Sequence, residues 1–334
     1  MEKILLGHGS GGRLMHQLIR EHFVPQFDLK ELSDSAVIDL KGHSKLAFTT
    51  DSYVVSPLFF PGGNIGKLAV NGTVNDLSMV GARPLYLTAG FIIEEGFRMS
   101  DMKRIISSMA DAAKNAGVRI VAGDTKVVDK GKGDGIFINT SGVGIVPDGI
   151  DLGPRHIKAG DKVIISGLMG DHGIAVMSER NGLSFDPPVI SDTAALNGLV
   201  ERMFAGAPNS AIRIMRDPTR GGVATTLKEI ANDSGFCIVI NEGRLPVSSG
   251  VIGACELLGL DPLYIANEGI LIAVVSPDAE GTLMEEMRKH PLGKNSAIIG
   301  EVTDEAKATV LLRTSVGGTR IVDMLAGEQL PRIC

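Results

Sequence analysis

Along residues 46–146 the hydrophobic period switches repeatedly between two and about 3.6, and this switching limits the possible folds more than any other feature. Residues 46–50 (LAFTT), 85–93 (PLYLTAGFI), 119–123 (RIVAG) and 135–146 (GIFINTSGVGIV) have the apolar and β-branched content of strands. Between them, 64–81 and 100–116 have helical spacing. In the second, Met102, Ile105, Ile106, Met109 and Ala113 recur on one face, Ser100 is placed to cap the start, and Gly117 to end it. Strands and helices do not alternate one for one, and short turns join several strand pairs. The expected class is therefore α/β (α+β) with mixed or antiparallel sheets.

The stretch PDGIDLGPRHIKAGD, 147–161, is dense in proline, glycine and charge, as a connection between two cores would be. Beyond it, KVIISG and FCIVI read as strands, and helices are expected at 173–181, 192–205, 222–234 and 278–289. A chain of 334 residues suits two domains, expected at 1–152 and 153–323, with 324–334 as a tail.

Composition excludes some partners. The net charge is −6 with basic residues scattered among acids, and only 4% of residues are aromatic, so neither an electrostatic footprint for nucleic acid nor a stacking platform is expected. Apolar runs such as Ile270 to Val275 are too short to span a bilayer. The opening MEKILLGHGSGG lacks the pattern of a secretory signal, which points to the cytoplasm. Of three cysteines, Cys237 and Cys255 fall in expected core elements and make no zinc-type spacing. Cys334 is the last residue, in LPRIC, where a thiol is either an accident or a mobile reactive handle.

Two glycine motifs mislead. Gly7, Gly9 and Gly12 satisfy GxGxxG, but too little chain precedes them for the initial strand of a dinucleotide unit. They read instead as a flap over phosphates or as a tight turn before a helix with Leu14, Leu18 and Ile19. GGNIGKLA, 62–69, lacks both the glycine spacing and the hydroxyl of a P-loop.

The acids are more telling. Asp51 (TTDSY) and Asp124 (AGDTK) follow β runs, where loops gather carboxylates around a hard cation such as magnesium. Asn75 and Asp76 interrupt a small, apolar helix and either face a site or lie on a solvated face. Asp217, in DPTRGG, can cap the helix from Val223 or shape its entry, and Arg220 can meet a phosphate. His172, in GDHG, is a donor, an acid or a structural residue. Lys126, two residues after Asp124, and Glu268, in ANEG, are either site groups or surface charges.

Together HGSGG, TTDSY, FFPGGNIGKLAVNGTVNDL, AGDTKVV, GDHG, DPTRGGV, ANEG, HPLGK and the terminal PRIC closely resemble the HypE family, carbamoyl dehydratases of nickel–iron hydrogenase maturation. TDS, ND and GDT are shared with the wider superfamily of aminoimidazole ribonucleotide synthetase, selenophosphate synthetase and thiamine monophosphate kinase. The PRIC ending separates this chain from those.

The resemblance implies a two-domain fold of aminoimidazole ribonucleotide synthetase type, whose N-terminal sheet pairs across a homodimer, with a flexible C-terminal tail. It implies ATP with Mg2+, using Gly9, Gly11, Asp51, Asn71, Asn75, Asp76, Asp124, Thr125, Asp217 and Arg220, the metal falling to Asp51, Asp76 and Asp124. A partner carbamoyltransferase would load Cys334, and the protein would dehydrate its own thiocarboxamide to a thiocyanate, passing cyanide to an iron–sulfur scaffold complex. Lys126 and Glu268 would remove protons, with His172 as a helper. The last eight residues, extended, reach about 25 Å, enough to enter the cleft. The terminal carboxylate should raise the thiol pKa and Arg332 offset it. Two other readings stand beside this one: a small-molecule kinase or synthetase of the same superfamily with Cys334 incidental, and a nucleotide-responsive assembly protein without chemistry.

Overall fold

A computed structural model describes residues 12–27, 33–40, 45–325, 327, 330 and 332–334. Gly7, Gly9, Gly11 and Pro331 lie outside the described residues. The chain opens with α1 (Arg13–Leu18) and α2 (Val24–Phe27), joined by one wide turn, Ile19–Phe23. Next come β1 (Ala36–Ile38), β2 (Lys45–Tyr53), the small hairpin β3 (Phe59–Phe60) and β4 (Gly63–Asn64), and α3 (Ile65–Met79). β5 (Arg83–Glu94), α4 (Met99–Ala116), β6 (Arg119–Val128) and β7 (Ile136–Val146) complete a five-stranded sheet of order β1-β2-β7-β5-β6, in which only β5 and β6 run parallel.

One face of this sheet is covered. β7 buries Ile136, Ile138, Thr140 and Val146 on that face by strict alternation. The side chains of Phe48, Tyr86 and Ile92 remain exposed, as does nearly all of β6, including Val121 at 52% and Val127 at 67%. α4 starts at Met99, two residues earlier than a cap at Ser100 would give. Arg98 holds the cap position and Ser100 lies inside the first turn, where Asp101 complements the helix dipole. Gly117 ends the helix with φ +70.

The second sheet is built from β8 (Lys162–Ile165), α5 (Asp171–Asn181), α6 (Asn197–Gly206), β9 (Ile212–Arg216), α7 (Gly222–Ser234), β10 (Cys237–Asn241), α8 (Ser249–Leu258), β11 (Ile272–Val275), α9 (Glu280–Arg288), β12 (Ala297–Thr303), β13 (Val310–Arg313) and β14 (Thr319–Val322). Its order is β14-β13-β10-β12-β8-β11-β9, with β10 and β13 parallel and the other neighbours antiparallel. Val163, Ile165, Ile272 and Val274 face Val223, Ala224 and Leu227 of α7. Ile164, Ala273 and Val275 face Leu199 and Met203 of α6 and Leu283 and Met287 of α9. Both faces are covered, which explains the unbroken apolar runs of β8 and β11. Cys237 and Cys255 are buried free thiols, as expected.

α3 sits between the two sheets. It packs on β2, β5 and β7 on one side and meets α6 and β9 on the other, so nearly every residue of it is buried. The expected helix at 192–205 begins only at Asn197. Residues 192–196 are diverted: the Asn75 side chain accepts from Leu196 N at 2.8 Å, and the Asp192 carboxylate is turned toward another loop.

Candidate active site

Alternation along β2 puts Ala47, Thr49, Asp51 and Tyr53 on the face toward α3. Thr49 Oγ1 donates to Asp76 Oδ2 at 2.7 Å. The phenol end of Tyr53 abuts Gly72, where an added Cβ would stand 2.3 Å from the phenol oxygen, so only glycine fits that helix position. Its buried hydroxyl sits beside Thr73 and faces Asp51.

The opposite wall comes from the second sheet. Asp217 and Arg220 follow β9, and Glu268 lies in the turn before β11. Glu268 is only 3% exposed. Its backbone is fixed from both sides: Glu268 N and Gly269 N donate to Asp192 at 2.9–3.1 Å, and Asn75 Nδ2 donates to Glu268 O at 3.3 Å. Gly269 is required because a Cβ there would be 1.8 Å from the Asp192 carbonyl oxygen.

The result is a cleft crowded with carboxyl groups. Burial raises Asp51, and burial together with Asp217, Asp51 and Asp34 raises Asp76 well above the carboxylate range. Asp217 is pushed up to about 8 by burial and Asp34, and Glu268 is raised by burial, Asp217, Asp51 and Asp192. The guanidinium of Arg220 faces Asp51, Glu268 and Cys334. Carboxylates held this close ionise together only when a cation joins them. Asp51 and Asp76 therefore suit Mg2+, which takes one or two carboxylates and fills its shell with phosphate oxygens and water. Among the described residues no set of three His, Cys, Asp or Glu side chains makes a metal site within this chain.

The expected trio of metal ligands is not brought together within this chain. Asp51 on β2 and Asp124 on β6 are separated by β7 and β5, three strand spacings, or about 14 Å. Asp124 and Lys126 are 70% and 68% exposed and bind each other at 2.6 Å, which lowers the Asp124 pKa. Thr125, between them, is exposed on the same strand. Asn71 and Asn75 are engaged by the loops of the second sheet. Asn71 Nδ2 points to Thr193 Oγ1 at 3.4 Å, and the Asn75 amide is spent on Ala194 O, Leu196 N and Glu268 O. Asp217 does not cap α7, whose cap position is Gly221 at φ +78.

The chain's own end enters this cleft. Val54 N donates to Cys334 O at 3.0 Å, and Ser56 N to Arg332 O at 3.1 Å. Arg332 adopts φ +50, a left-handed conformation costing roughly 1–2 kcal/mol. Several bonds hold it there: Arg332 Nε donates to Val54 O at 2.8 Å, its guanidinium pairs with Asp134, and Arg180 Nη2 donates to Arg332 O at 2.9 Å. Ile333 is buried in the first core, and Leu330 packs on both the first core and the cluster beneath α8. Burial pushes the Cys334 thiol up to about 12 against the opposing pull of Arg220. Arg332 was expected to offset the terminal carboxylate at this thiol, but it is committed to Asp134 and Val54.

His172 is fully buried, its Nε2 2.8 Å from Ile333 O and its Nδ1 2.8 Å from Ser191 Oγ. Asp34, Tyr53, Arg180 and Asp192 escaped sequence reasoning. Asp34 pairs with Arg216 at 2.6 Å, and each of the four acquires meaning only from a partner distant in the chain.

Converting Asp51 or Asp76 to Asn is expected to weaken magnesium–ATP binding at least about tenfold in calorimetry. The metal-free thermal midpoint should hold or rise, because like charges are removed. Parental affinity in both variants would sink the assignment.

The model of AIR synthase related protein, N-terminal domain, matches residues 32–146, and that of its C-terminal domain matches residues 158–313. Carbamoyl dehydratase HypE of Bradyrhizobium diazoefficiens is 55% identical over 332 residues, covering 98% of this chain and 95% of that one. A HypE–HypF complex structure matches with TM-score 0.87 and 53% identity over 92% of this chain and 99% of the other. A HypE structure in complex with ATP matches with TM-score 0.84 and 47% identity over 99% and 100%. The chain belongs to the HypE family of carbamoyl dehydratases.

Proposed function

We propose that this protein dehydrates a carbamoyl group carried on its own Cys334, consuming ATP and yielding a thiocyanate that supplies cyanide for nickel–iron hydrogenase iron. The observation that carries this reading is the docked tail, which delivers the terminal cysteine to the acidic cleft of its own chain, facing Arg220 and Glu268. The tail's backbone bonds hold Cys334 inside its own chain's cleft, where burial also raises the thiol pKa, so loading by a carbamoyltransferase belongs to the undocked tail and dehydration to the docked one. The transferase would be a HypF-type partner, and an iron–sulfur scaffold complex would take the cyanide.

In the docked state the carbamoyl oxygen attacks the γ-phosphorus of ATP and ADP leaves, turning that oxygen into a phosphate ester. The nitrogen then loses two protons while the C–O bond breaks, giving S–C≡N and inorganic phosphate. Mg2+ bound by Asp51 and Asp76 would offset phosphate charge, and Arg220 would add a fixed positive group. Glu268 is the proton acceptor placed on the cysteine's side of the cleft. His172 is not, since its Nε2 is already committed to a carbonyl.

We assign Asp124, Thr125 and Lys126 to the site of a second copy. The edge strand that carries them is exposed along almost its full length and bears Ile120, Val121 and Val127, a surface suited to pairing with the same sheet of a partner in a homodimer. In this arrangement residues 1–152 form the nucleotide-binding and dimerising domain, 153–323 the second wall of the cleft, and 324–334 the carrier.

Mass spectrometry of the C-terminal peptide tests the reading. Incubation with the carbamoyltransferase system should add one carbamoyl group at Cys334, and magnesium–ATP should then remove the mass of one water. Modification at Cys237 or Cys255 instead, or water loss without ATP, would sink it.

A further inference from the structure

Resting on the reading of Cys334 as carrier, we propose that His172 is the positioning residue of the tail: a neutral imidazole whose Nε2–H fixes the Ile333 carbonyl and so sets the direction from which the Cys334 side chain enters the cleft. The hydrogen bonds dictate the tautomer. A carbonyl oxygen only accepts, so His172 Nε2 must carry the proton in its 2.8 Å bond to Ile333 O. In a neutral ring Nδ1 then accepts, and the Ser191 hydroxyl at 2.8 Å donates to it. Ser191 Oγ in turn accepts from Thr193 N at 3.2 Å, which leaves its one proton for the histidine.

The ring plane is also fixed. Phe60 packs edge-on against the imidazole with centroids 5.3 Å apart and planes at 88°. Gly173, next in the helix, allows close approach: a Cβ there would meet the Ile265 side chain at 2.5 Å and Leu330 of the tail at 3.1 Å. His172 thus reaches the peptide unit immediately before Cys334 from a rigid frame, where a rotation of the carbonyl swings the thiol carbon with it.

Occupancy of the cleft does not rest on this bond alone. Val54, Ser56, Arg180 and Asp134 all hold the tail independently. Removing the imidazole therefore leaves the tail mostly docked and misdirected, and a displacement near 1 Å at a reacting group costs about a hundredfold in rate.

The test compares His172→Ala with His172→Gln in the full-length protein. The Gln amide supplies an N–H at similar reach, yet it is not an acid or base near neutral pH. His172→Ala should slow single-turnover dehydration about 30- to 100-fold. Carbamoyl loading, which needs the undocked tail, should stay within about twofold of the parent or rise, and His172→Gln should recover most of the dehydration rate. Alkylation of Cys334 by iodoacetamide should be about fivefold faster in His172→Ala, the weight of one net hydrogen bond, and near parental in His172→Gln.

Gln as slow as Ala, with parental alkylation, would mean proton transfer by the imidazole and overturn the proposal. Parental dehydration and alkylation in both variants would overturn it as well. A parent that never loads or dehydrates would refute the carrier reading instead, and the alkylation rates would still report whether His172 holds the tail.

Discussion

Mixing a Lys126→Met copy with a Cys334→Ala copy is expected to restore dehydration that neither copy supports alone. Each cleft contains its own chain's cysteine, whereas Lys126 lies three strands away from Asp51 across the sheet and further along its strand, on an exposed edge. If a second copy covers that edge, every cleft borrows its lysine from the opposite subunit. Lys126→Met homodimers then hold a carrier without the lysine, and Cys334→Ala homodimers hold the lysine without a carrier. Random pairing of equal amounts makes about half the dimers mixed, so about half of the loaded Lys126→Met tails should lose water. Quantifying the C-terminal peptide by mass spectrometry, with differently tagged copies to verify mixing, provides the check. No recovery in verified mixed dimers would place Lys126 outside the reaction or in its own chain's cleft.

Glu268→Gln should reduce dehydration by about 10²- to 10⁴-fold, the usual weight of a general base, while leaving ATP binding near parental. The substitution is unusually clean because Asp192 and Asn75 hold residue 268 by its backbone, whatever its side chain. It also removes one of several mutually repelling carboxyl groups, so the thermal midpoint should not fall. Single-turnover conversion of carbamoylated protein separates this from a folding defect. Nitrile formation at the parental rate would leave Glu268 with only a structural part.

Much of the fold was legible because period and punctuation agree locally. The apolar alternation of β7, the faces of α4 and the two-sided apolar runs of β8 and β11 each report their surroundings within a few residues. What failed depended on distant partners. Residues 192–196 carry no break signal, and their departure from helix is imposed by Asn75, over a hundred positions earlier. Asp51 is marked in the sequence as an acid following a β run, Asp76 as a charge inside an apolar helix and Glu268 as either a site group or a surface charge, and the structure brings all three to one cleft. Asn75 is marked like Asp76, as a polar residue inside that helix, but serves three backbone groups, a use a neutral amide with both donor and acceptor fills and a carboxylate cannot. The spacing of two between Asp124 and Lys126 fits their contact on one side of a strand, yet spacing along a strand says nothing of how many strands separate them from Asp51. Tyr53 and Arg180 had no local mark, since their roles depend on Gly72 and on the returning tail.

The Asn75 amide reaches from the helix under the first sheet into the loops of the second, binding Ala194, Leu196 and Glu268 at once. A cleft stitched across its middle in this way is poorly suited to opening and closing like a jaw, because separation would strip three buried backbone groups of their partner. If Cys334 carries the substrate, as proposed, traffic runs through the end of the chain, with the reaction vessel stiff and the cargo arm moving. On that reading a short peptide must leave and re-enter in every cycle, and slowing the arm with a viscous solvent is expected to lower multiple-turnover rates more than stiffening the walls would.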